Sequence, residues 1–105
     1  MKEVDKMSKN YGGSDFEQLT IGNTVNGIAL TKAKLGSCNK AIVTVEAASL
    51  RYRVDGGFPT STVGHIAYVG DIIELESSSE MTNFRAIREG SVDSKITVTY
   101  LNEGR

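Results

Sequence analysis

The chain reads as an all-β domain: a small antiparallel β-sandwich, or barrel-like sandwich, of about seven to eight short strands behind a flexible N-terminal arm. Three observations predict this. Apolar and polar residues alternate over short runs, the period of a strand buried on one face. Gly, Asn, Asp, Ser and the one Pro punctuate those runs at intervals of about ten residues, which is sandwich spacing. No helical period persists beyond one turn in the part expected to be ordered.

Residues 1–15 mix Lys, Glu, Asp, Ser and Asn and end in Tyr11-Gly12-Gly13-Ser14. Such a stretch buries too little to order itself, so 1–15 is expected to be the arm and 16–105 a single sandwich domain. A first strand is expected from Phe16 to Ile21, stopped by Gly22-Asn23. Asn26-Gly27, a hairpin dipeptide, leads into a second at residues 28–31. Residues 32–39 read as a connection. Ala41, Val43 and Val45 share the core face of a third strand. In the next, Leu50, Tyr52 and Val54 alternate with Arg51, Arg53 and Asp55. Asp55-Gly56-Gly57 and Pro59 then force a sharp turn. Strand character returns near Ile66-Ala67-Tyr68, and again over residues 72–76 with Ile73 and Leu75 inward. Residues 77–80, Ser-Ser-Ser-Glu, read as a polar loop tip. Phe84, Ala86 and Arg88 share one face of the following strand and Arg85 and Ile87 the other. Ile96, Val98 and Tyr100 mark the last strand.

Composition narrows the function. With 105 residues there is room for one core. Twelve basic and thirteen acidic residues give a net charge of −1, which argues against a protein that coats nucleic acid. The single Cys38 excludes an internal disulfide and any zinc site built from several thiolates; it reads as a small half-buried residue in a chain kept in a reducing compartment. No apolar run approaches the roughly 20 residues of a spanning helix, and the N-terminus lacks the apolar stretch of a signal peptide, so neither membrane nor signal-directed export is expected.

Catalytic chemistry is hard to place. The one histidine, His65, sits between Gly64 and Ile66, where an imidazole commonly bonds loop backbone. Glu74 and Glu76 lie two apart on one strand, about 7 Å by strand rise, and read as a solvated face. The glycine pairs match no phosphate-loop or dinucleotide pattern. The expectation is therefore no enzyme, no cofactor and no metal. Arg51, Arg53 and Arg85 are the more informative set. All three fall on outward positions, and neighbouring strands would gather them on one surface. There they could pair with Glu74 and Glu76 across a sheet, with carboxylates of another subunit, or with phosphate.

The stretch R-Y-R-V-D-G-G-F-P-T-S-T-V-G-H, then G-D-I-I-E-L-E and F-R-A-I-R-E-G, resembles small structural proteins of tailed bacteriophages over about residues 41–100. The resemblance implies a virion protein made in the bacterial host cytoplasm, either head-decorating or in the head–tail (neck) region. Its implied partners are the major capsid protein or neck and tail proteins, with several copies as a homo-oligomer in the particle. Tyr11, Arg51, Arg53, Phe58, His65 and Arg85 are the expected interface residues. The turn Asp55-Gly56-Gly57-Phe58-Pro59-Thr60 is similar to one in sandwich modules appended to bacterial glycosidases. The alternative it raises is a carbohydrate-binding or adhesive module using Tyr11, Tyr68 or Phe58 as platforms, which the absence of Trp makes poor.

Overall fold

The computed structural model describes residues 11–36 and 38–103. Eight strands run β1 (Tyr11–Ile21), β2 (Ile28–Ala29), β3 (Lys40–Val45), β4 (Leu50–Arg53), β5 (His65–Ala67), β6 (Ile72–Leu75), β7 (Arg85–Arg88) and β8 (Ser94–Glu103). One short helix, α1 (Ser78–Asn83), lies between β6 and β7. The strands form two four-stranded antiparallel sheets, in the orders β1-β8-β3-β6 and β2-β7-β4-β5. The expected all-β sandwich is what forms.

Alternation decides which side chains meet between the sheets. From the first sheet Val43, Val45, Leu75, Ile96, Val98 and Tyr100 are buried, and from the second Leu50, Ala67 and Ala86. Phe84, just before β7, is wholly buried, and its ring stacks on Tyr52 with centroids 5.9 Å apart. Of the six strand pairings only β4–β5 joins neighbours in sequence; every other connection carries the chain from one sheet to the other.

That alternation between sheets corrects the reading of Asn26-Gly27. Both residues take positive φ, and Gly27 N–H donates to the Thr24 carbonyl at 2.9 Å. The tight turn forms, but β1 and β2 belong to different sheets, so it makes a corner and not a hairpin. A second correction concerns residues 77–80. They begin α1, because the Ser77 side chain accepts the Glu80 N–H at 3.1 Å while the Glu80 carboxylate accepts the Glu76 N–H at 2.7 Å. These are the two reciprocal bonds of a capping box, displaced by one residue. The helix turns Met81 into the core. Cys38 approaches its sulfur at 3.8 Å, and burial pushes the Cys38 thiol pKa up, so the thiolate is disfavoured.

β1 starts earlier than expected. Residues 11–15 of the expected arm pair with β8, from Tyr11 opposite Glu103 onward, with a register shift between Gly13 and Asp15. The glycine pair does not end the strand because β8 runs alongside it for its whole length. Residues 1–10 of that arm lie outside the described residues.

Candidate interaction surface

The register of the second sheet sets the arginines. Arg53 lies directly opposite Arg85, and Arg51 opposite Ile87 on one side and Ile66 on the other. Directly opposed residues share a face, so the three arginines do gather on the outer face of this sheet. Two guanidiniums side by side repel unless each finds its own compensation, and here the compensation comes from residues 55–64.

Arg53 makes a forked pair with Asp55, Nε to Oδ1 at 3.0 Å and Nη2 to Oδ2 at 2.7 Å. Its Nη1 reaches the Phe58 carbonyl at 3.5 Å. Gly57 packs so closely that a Cβ there would come within 2.5 Å of the Arg53 guanidinium carbon. Arg85 sits over the Phe58 ring, 5.3 Å from its centroid. Arg51 donates from Nη1 to the Gly64 carbonyl at 3.0 Å, while its Nε is buried without a hydrogen-bond partner. Pro59 is fully buried, and Thr60 and Val63 exchange backbone bonds at 2.9 and 3.2 Å. The arginines therefore hold a loop onto the sheet, and neither free display nor pairing with Glu74 and Glu76 describes them. Those carboxylates cannot reach, because β6 belongs to the other sheet, where Glu74 lies 3.9 Å from Lys40.

The other expected interface residues divide. Phe58 joins the arginines through Arg85 and stays 47% exposed. His65 faces the opposite side of the sheet: it lies across from Tyr52, ring to ring at 5.4 Å. Tyr11 opens β1 in the first sheet, so it does not join the arginine set.

Beside the loop lies an open cleft of about 510 Å³. Phe58, Pro59 and Ser61 line it from the loop, Ile87 from β7, and Val25 and Asn26 from the β1–β2 corner. Sequence reading missed this corner. The available signal was Val25, an apolar residue placed in a turn where the core does not need it, and 82% exposed in the fold. Arg88 also borders the cleft and carries its own counter-charge, with Nη1 2.5 Å from Asp93.

The molecule is thus a small all-β sandwich whose second sheet carries a clamped loop and an open cleft. No known protein family, no curated protein and no solved structure matches it.

The clamp has a pH signature. Hydrogen bonds from Arg53, then from the Gly57 N–H, hold the Asp55 carboxyl at about 2 against an ordinary 3.8. A depressed carboxyl favours the folded loop fully above its unfolded value and loses that contribution as pH falls through the folded one. The expected outcome is an Asp55 carboxyl resonance titrating near 2, with the amides of residues 55–58 unchanged from neutral pH down to 4. A midpoint at the ordinary value would mean that the Arg53 fork does not persist in solution.

Proposed function

We propose that this chain is a non-enzymatic structural component of a tailed-bacteriophage particle, binding capsid, neck or tail neighbours through the loop side of its second sheet. The observation that carries the reading is the clamped loop. Three arginines fix residues 55–64 on a packed sheet, so Phe58 is presented in a defined place beside an apolar cleft. Pre-ordering of this kind lowers the entropy cost of association, and repetition by symmetry turns weak contacts into firm attachment. The resemblance over residues 41–100 supports the same reading, since the loop sequence lies within it.

The carbohydrate-binding alternative draws support from the same place: Asn23, Asn26, Thr60 and Ser61 border the cleft near Phe58. Its weakness is the lack of a broad indole or phenol platform there. Protein analysis of purified particles from the phage or induced prophage that encodes the chain separates the two. The chain is expected to co-sediment with particles after washing in high salt; its absence from intact particles would overturn the assembly reading.

A further inference from the structure

The outer face of the second sheet carries Arg51, Arg53 and Arg85, while Arg88, opposite Leu50 on the other face of β7, borders the cleft, and the four are not equivalent. Arg53 and Arg88 each own a carboxylate, Asp55 and Asp93. Arg85 owns none: among the described residues its one partner is the Phe58 ring. A cation over an aromatic face is held by the ring quadrupole, and that contact consumes none of the five guanidinium N–H donors. The ring that holds it forms one wall of the cleft, whose other apolar surfaces are Val25, Pro59 and Ile87. The site thus joins an open, largely apolar recess to a planar cation without a carboxylate partner, Arg85, which rests on the Phe58 ring beside the recess and does not itself line it. At about 510 Å³ the recess accommodates one large side chain.

We propose that this cleft receives an apolar side chain from an acidic segment of a neighbouring protein, with a carboxylate of that segment engaging Arg85. Charge decides the class of occupant. A basic segment meets Arg85 unshielded, and a neutral glycan offers hydroxyl acceptors to its donors but nothing to offset its charge. An acidic segment satisfies both parts of the site, since guanidinium and carboxylate match as a planar, forked pair. The inference leans on the assembly reading only for the source of the segment; the chemistry of the cleft stands on its own.

The test uses the full chain, labelled with ¹⁵N, and small probes in place of the unidentified segment. The probes are 3-phenylpropionate, 3-phenylpropan-1-ol, 3-phenylpropylamine and lactose. The expected result is amide shifts at Val25, Asn26, Phe58 and Ser61, with affinity in the order acid, alcohol, amine. R85Q should cut the acid's affinity about two- to five-fold, the worth of an exposed pair, and leave the alcohol unchanged. Val25→Glu, at a highly exposed position, should weaken the acid and strengthen the amine while leaving the fold intact. Shifts confined to other surfaces, equal binding of acid and amine, or a preference for lactose would each overturn the proposal. Because these measurements use the isolated chain, their failure removes the acidic-segment site and leaves the assembly reading to be decided by particle composition.

Discussion

Phe84→Ala is expected to lower the free energy of unfolding by about 3–5 kcal/mol, the largest effect of any single truncation considered for this chain. Phe84 has no exposed surface. It stands between α1 and β7, and its ring stacks on Tyr52 at 28° between planes, so it joins the helix, β7 and β4 at one point. Removing the ring loses its transfer free energy and leaves a void, and the neighbours can collapse into that void only in part. Tyr52 is among them, and its ring also touches His65, so β5 should loosen as well. Urea unfolding followed by circular dichroism gives the number. Phe16→Ala is the control: Phe16 is 56% exposed on β1 and should change stability by less than about 0.5 kcal/mol. A loss under about 1 kcal/mol for Phe84→Ala would contradict the burial that defines this core.

The inward residues of β3, β6, β7 and β8 were legible because alternation is a local property of the chain. Ala41, Val43, Ile73, Leu75, Ile96 and Val98 all face the core as their spacing requires. Pairing was not legible. With only β4–β5 adjacent in both sequence and space, the partners of each strand depend on contacts far apart in the chain, and a period of two carries no such information. Hence Glu74 and Arg51 read as potential neighbours although they lie in different sheets. The arginine surface was half legible. Outward positions on β4 and β7 followed from alternation, whereas their partners lie in an irregular loop folded back over the sheet. No periodicity announces that Arg53 meets Asp55, or that Arg51 meets the Gly64 carbonyl. Residues 77–80 read as a loop because the six residues of α1 fall below the length at which a helical period can be detected; the Ser77–Glu80 spacing was the usable signal.

Tyr100→Phe is expected to cost about 1.5–3 kcal/mol, although it removes a single oxygen atom. Tyr100 is fully buried in β8, and its hydroxyl donates to the carboxylate of Glu17. Glu17 lies on the inward side of β1, an edge strand paired only with β8. Its carboxylate also accepts from the Thr31 N–H at 3.1 Å and from the Thr31 hydroxyl at 2.5 Å. A half-buried charge on the core side of an edge strand is tolerated only while such donors surround it. Burial, and then the bond to Glu17, hold the Tyr100 phenol far above its usual range, so the hydroxyl remains a donor through mildly alkaline pH. The same carboxylate discourages another strand from adding to β1, since a stacked copy would bring a second inward charge beside it. Deleting the hydroxyl therefore removes a charge-assisted bond at the point where β1 is tied to the sandwich. If the Glu17 carboxylate is what gives that hydroxyl its worth, Tyr100→Phe added to Glu17→Ala should cost at least about 1 kcal/mol less than the two changes summed. Additive costs would mean that the Glu17–Tyr100 bond contributes little, and that β1 is held by its backbone bonds to β8 together with the Glu17–Thr31, Gln18–Thr97 and Asp15–Lys34 contacts.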